Sequence, residues 1–120
     1  MRDQRKMTGR IGEDLALQHL LNQGYQLVTR NYRCPLGEID LIVASQEMVI
    51  FVEVRTRRGY RLGTPEESIR QNKRDRVRRV AQYYLQAKKK RDIPVRFDVI
   101  AVIIGQANQL IRLNHIEAAF

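Results

Sequence analysis

Gly37-Glu38-Ile39-Asp40-Leu41-Ile42-Val43 and Met48-Val49-Ile50-Phe51-Val52-Glu53-Val54-Arg55 decide the fold. Both stretches are strand-length, and their inner residues are apolar on both faces, as in strands from the middle of a covered sheet. A turn centred on Gln46-Glu47 pairs position i with position 93 minus i, which sets Asp40 opposite Glu53. Alternation along the second strand places Glu53 and Arg55 on one face and Val52 and Val54 on the other. Carboxylates so opposed repel each other unless something neutralises them. Beside a cationic side chain they make a hard oxygen donor set suited to Mg2+, with Mn2+ as a substitute. The plainer alternative is an ion-pair network joining Asp40 and Glu53 to Arg55, Arg57 or Lys73, and the two readings are compatible.

Outward from this hairpin, Ile11, Leu15, Leu20 and Leu21 follow helical spacing and predict a first helix. Thr8 or Gly9 opens it and Gly24 closes it, so residues 1–8 are expected to be a flexible leader. This helix carries Glu13. Tyr25 to Arg33 alternates as a strand and ends at the turn signal Cys34-Pro35-Leu36-Gly37. Thr56 to Gly63 reads as a basic, glycine-bearing loop holding Arg57, Arg58, Tyr60 and Arg61. Thr64-Pro65-Glu66-Glu67 supplies an N-cap, a proline at the first helical position and acids at the positive helix end. The long second helix that follows points Ile69, Lys73, Val77, Val80 and Tyr84 inward and stops near Lys88 to Arg91. Two more strands are expected from Val95 to Ile104 and from Gln109 to Leu113. The order αβββαββ predicts one α/β domain over residues 1–120, a mixed central sheet of about five strands flanked by helices.

With 120 residues and 43% hydrophobic content the chain can bury one modest core. Cys34, the lone cysteine, cannot form an internal disulfide, and His19 and His115 have no zinc-finger spacing. The apolar runs are too short for a signal peptide or a membrane span, so a cytoplasmic protein without membrane association is expected. The net charge of +9 is concentrated: fourteen basic residues stand between Arg55 and Arg91 against Glu66, Glu67 and Asp75. Such a surface favours polyanions, nucleic acid foremost. No phosphate loop, dinucleotide fingerprint or persuasive hydrolase triad occurs in the sequence.

Taken together, Gly12-Glu13-Asp14-Leu15-Ala16, Gly37 to Ile42, Phe51 to Arg57, Lys73 and Phe97 to Val102 resemble the small bacterial YraN-like family of the PD-(D/E)xK, or restriction-endonuclease-like, superfamily. The resemblance runs from about Arg10 to Phe120. It implies a nuclease core similar to archaeal Holliday-junction resolvases, in which acids on the first helix and two adjacent strands bind one or two magnesium ions, and it makes a homodimer plausible; DNA, branched or structured DNA included, is the expected substrate. Asp40 then matches the superfamily aspartate, Glu53 the acid of the (D/E)xK element, and Glu13 the acid of the first helix. Arg55 stands where the motif has lysine, and its guanidinium cannot act as a base near neutral pH. Lys73 is a candidate for the displaced lysine. Arg57, Arg58, Tyr60, Arg61, Arg74 and Arg78 are expected to hold nucleic acid, with Tyr60 stacking on an unpaired base. The alternative is a nonenzymatic nucleic-acid-binding protein on a nuclease scaffold.

Overall fold

The computed structural model describes residues 4–59, 65–68, 70–90 and 92–120. Helix α1 (Gln4–Asn22) leads into strands β1 (Gln26–Cys34), β2 (Gly37–Ala44) and β3 (Val49–Arg58). A 3-10 turn (Pro65–Ser68) and helix α2 (Gln71–Ala87) return the chain to β4 (Val95–Ile104) and β5 (Leu110–Ile116). The strands form one five-stranded sheet in the order β1-β2-β3-β4-β5. It is mixed, because β3 and β4 run parallel while the other neighbours are antiparallel. Parallel neighbours need a long crossover, which the 3-10 turn and α2 provide.

Pairing of β2 with β3 follows the register expected from the Gln46-Glu47 turn: Leu41 faces Val52, Ile42 faces Phe51, Val43 faces Ile50 and Ala44 faces Val49. The two-sided apolar sequence is explained by a helix on each face. Leu41, Val43, Ile50, Val52, Val54, Ile100, Val102 and Ile104 pack with Ala16 and Leu20 of α1. Ile39, Ile42, Val49 and Phe51 pack with Val77, Val80, Ala81 and Tyr84 of α2. Each fully buried Ile or Phe there contributes about 1.5–3 kcal/mol relative to exposure.

Several boundaries differ from the sequence reading. α1 starts at Gln4, so residues 4–8 are helical and not a flexible leader, while residues 1–3 lie outside the described residues. Its inward residues are Gly12, Ala16 and Leu20, whereas Leu21 is exposed. Gly24 does end the helix, at φ +95, where Tyr25 N–H bonds Leu20 C=O and Gly24 N–H bonds Leu21 C=O in a Schellman motif. Residues 56–58, expected in a loop, continue β3 because β4 pairs with them as far as Arg58 opposite Ile104. Pro65 and Glu66 belong to the 3-10 turn and not to α2, and Glu66 is held there by Arg112 and Asn114 of β5. Tyr60, Arg61, Thr64 and Ile69 lie outside the described residues. Ile116 and Phe120, near the chain end, are half-buried, and Phe120 stacks on Phe97 at 5.3 Å.

Asp98, an acid in the apolar run of β4, is fully buried and serves as a structural hub. Arg96 grips both its oxygens at 2.8 and 2.7 Å, His115 of β5 bonds it at 2.7 Å, and Ala118 N–H donates at 3.1 Å. His115 in turn meets His19 of α1 at 3.0 Å. The chain of contacts ties the end of α1 to β4 and β5. These bonds hold the Asp98 carboxyl below the usual carboxylate range despite its burial.

Candidate metal and phosphate site

The ladder between β2 and β3 stops at Leu41 and Val52, one residue short of the acids. Beyond it, side chains take over the backbone donors. Val54 N–H donates to Asp40 Oδ2 at 2.8 Å, and Asp40 N–H donates to Glu53 Oε2 at 3.3 Å. Alternation also breaks in β2, since Ile39 packs toward α2 while Leu41 packs toward α1. A strand that sends residues 39 and 41 to opposite faces must turn residue 40 toward the sheet plane, which aims the Asp40 carboxylate at β3. Across β1 the matching irregularity is Asn31, at φ 50 between Arg30 and Tyr32, the partners of Leu41 and Ile39. The acid pair therefore occupies the cleavage point where the central hairpin parts.

Glu53 has a side chain only 2% exposed, facing Arg55 Nη2 at 3.7 Å and Lys73 Nζ at 3.8 Å. Burial and then repulsion from Asp40 push its carboxyl up to about 7, against the lowering pull of Arg55 and Lys73. Asp40 is raised as well, mainly by burial, although Val54 N–H, Arg55 and Lys73 favour its charge. Glu13, raised by burial and then by Asp40, lies at 3.6 Å from Arg30. Asp40 is thus the common electrostatic neighbour of Glu13 on the α1 side and Glu53 on the α2 side. Among the described residues no three His, Cys, Asp or Glu side chains meet in a metal-sized cluster, so the expected trio of Glu13, Asp40 and Glu53 is not gathered as one.

A cleft of about 480 Å³ opens between α1 and the end of β3, with Glu13 and Asp40 on one wall and Arg5, Arg55, Arg57 and Arg58 among its cations. Arg58 is spoken for: it bonds Gly105 C=O, the Asn108 side chain and Thr8 Oγ1. Arg57 has no ion-pair partner among the described residues, and its Nε is buried without a bond. On the α2 side a second cleft of about 500 Å³ runs past Arg33, Glu38, Lys73 and Arg76. Arg74 and Arg78 are not brought to the acids; their guanidinium groups lie over the Phe120 ring at 5.8 and 5.3 Å. Lys73, expected to face the sheet, keeps 36% of its side chain exposed while its ammonium reaches Glu53.

Two contributors escaped the sequence reading. Gly12 is where α1 lies against β3, since a Cβ there would overlap the Thr56 side chain. This close approach carries Glu13 toward Asp40, and a glycine inside a helical pattern was the available signal. Arg30, from β1, is the other; it pairs with both Glu13 and Asp14, a contact with no local signature.

Fold and site define a mixed-sheet α/β protein organised around a buried and a half-buried carboxylate flanked by basic clefts. The chain belongs to the uncharacterised protein family UPF0102, whose sequence profile matches residues 12–102. It is 44% identical over 116 residues to a UPF0102 protein of Moorella thermoacetica, covering 97% of each chain. A UPF0102 protein of Pelotomaculum thermopropionicum is 43% identical over the full length of both chains. One from Rhodococcus opacus is 41% identical over 93% of this chain and 94% of its own. No helix among the described residues is long and apolar enough to cross a membrane.

Proposed function

We propose that the protein is a magnesium-dependent nuclease of the restriction-endonuclease-like superfamily that hydrolyses DNA phosphodiester bonds. One observation carries this reading: Glu53 is buried with Asp40 half-buried beside it, and each carboxyl is raised by a loss of solvent that its neighbouring cations leave partly uncompensated. A divalent ion would relieve that cost. The donor set fits magnesium, which is commonly held through one or two carboxylates with water and substrate phosphate completing its shell. When bound, the ion supplies Lewis-acid polarisation of a phosphoryl oxygen and activation of water.

The chain's own groups have distinct tasks. Asp40 and Glu53 hold the cation, and Glu13 adds negative potential beside Asp40 without joining them in a cluster. Arg55 stays charged at every relevant pH and stabilises negative charge developing on phosphate. Lys73 reaches the same carboxylate from α2 and adds a second positive charge beside it. Arg5 and Arg57 hold the nucleic-acid backbone by charge, which positions a strand without reading its sequence.

A substrate panel of duplex, single-stranded, flap and four-way DNA, with and without magnesium, tests the reading. Asp40→Ala and Glu53→Ala each abolish metal-dependent cleavage while DNA retention persists. Full activity in a clean Asp40→Ala preparation would end the proposal. Arg55 at the motif lysine position favours a second reading, a DNA-binding protein without turnover. That protein would bind in a salt-sensitive manner and give no metal-dependent product on any substrate.

A further inference from the structure

The free edge of β3 has a role that its sequence did not suggest. β4 pairs with β3 through Arg58, whereas β2 pairs with it only as far as Val52. Among the described residues, the strand from Glu53 to Arg58 therefore has a neighbour on one side only. Gly59 N–H points to β4, where it bonds Ile104 C=O, and Val54 N–H points the other way, to Asp40. Period-two alternation then places the amides of Thr56 and Arg58 on Val54's side, facing the α1 cleft, spaced by about 6.6 Å.

Resting on the nuclease reading above, we propose that this edge is a track for one unpaired DNA strand. The Thr56 and Arg58 amides and the Arg5 and Arg57 guanidinium groups take successive phosphates and lead the strand to Asp40. Three observations support it. The cleft is lined by cations, and neither Arg5 nor Arg57 has a carboxylate partner among the described residues. Its volume of about 480 Å³ suits a small ligand or a short piece of one strand. α1 also cannot lift away easily, because Gly12 packs on Thr56 and Thr8 is bonded to Arg58, so a second strand is shut out. A peptide strand could add to such an edge in principle, but the arginines favour a polyanion.

The test is fluorescence anisotropy in metal-free buffer with a labelled oligodeoxynucleotide, as a single strand and as its blunt duplex. The single strand should bind at least about tenfold more tightly. Combined Arg5→Gln and Arg57→Gln substitution should weaken single-strand binding and flatten its logarithmic salt dependence by about 1.4, the value for two lost phosphate contacts. Thr56→Pro removes a donor that no strand among the described residues uses, at an edge where proline is tolerated, and should cost about tenfold in binding. Equal or tighter duplex binding, or an unchanged salt slope in the double variant, overturns the track. Failure to bind oligonucleotide at low salt overturns it too and leaves the edge to a peptide. Because binding is read without turnover, the two readings separate. Strand preference without cleavage on the panel removes the nuclease and keeps the track; cleavage without strand preference does the reverse.

Discussion

Neutralising Glu53 should stabilise the metal-free protein at alkaline pH, the opposite of what losing a buried ion pair does. Glu53→Gln keeps the shape and an acceptor for Asp40 N–H but removes a charge that burial opposes. In the unfolded chain the carboxyl titrates near 4.5, and in the folded protein at about 7. A raised carboxyl means the native state holds its proton longer than the unfolded state does. Its favourable contribution is therefore full below 4.5, declines as pH rises, and is gone above about 7. The gap between the two values corresponds to about 3 kcal/mol. Asp40, raised in the same direction, adds to the slope and is partly relieved when position 53 becomes neutral. Urea unfolding of both proteins in chelator-containing buffer, from mildly acidic to mildly alkaline pH, gives the difference curve, in which unrelated groups such as His19 largely cancel. The variant should match wild type at the acid end and exceed it by up to about 3 kcal/mol at the alkaline end. Added magnesium should reverse the order by stabilising only wild type, in proportion to the logarithm of its concentration. Parallel stability curves, or equal stabilisation of both proteins by magnesium, would refute the reasoning.

Gly12→Ala should cost about 1–3 kcal/mol by forcing α1 off β3, and Thr56→Ala in the same chain should restore part of it; paired melting curves check this. Asp98→Asn leaves Arg96 and His115 without their anion and should cost about 3–5 kcal/mol at neutral pH. Because the Asp98 carboxyl is lowered, its contribution is present above the ordinary 3.8 and lost only as pH falls through its depressed folded value, which acid unfolding of wild type follows. Charge reversal at Arg57 together with Arg61 should weaken DNA retention at low salt, with the deficit shrinking as salt rises; a filter-binding series reads it out.

How legible the chain was depended on the range of the forces involved. The β2–β3 register could be read because a short turn and two dense apolar runs leave one alignment that buries both faces. The limits of β4 were legible from Pro94 at one end and Gly105 at the other. The last residues of β3 were not, because Thr56, Arg57 and Arg58 have no apolar signal and are held as a strand by distant β4. The start of α1 was missed since Gln4, Arg5 and Lys6 show neither a cap nor an apolar stripe. Pro65 reads equally well as the first residue of a helix or of a 3-10 turn, and Glu66's bonds to Arg112 and Asn114 decide between them. Within the site, the acids and Arg55 were visible as breaks in strand alternation. Arg30 and the His19–His115–Asp98 chain were invisible, because their partners are far apart in sequence.

On the proposed nuclease reading Arg55 takes the place of the motif lysine, and these geometries give a physical reason for arginine there. A lysine ammonium at that point would sit among carboxylates whose own charge is unsettled without metal, and its protonation would depend on theirs. Arginine removes that variable, since its charge persists whatever Asp40 and Glu53 do. It also bridges back to its own strand, donating from Nη1 to Val54 C=O at 3.3 Å, which fixes the guanidinium beside the hairpin's parting point. A second cation is supplied from another layer: Lys73 reaches Glu53 Oε1 from α2, at nearly the distance of Arg55. One cation on the sheet and one on the helix therefore face the same carboxylate. Lys73→Arg is the substitution that distinguishes their duties. If Lys73 only balances charge, the variant keeps metal-dependent cleavage; if it moves a proton, cleavage falls while magnesium binding stays.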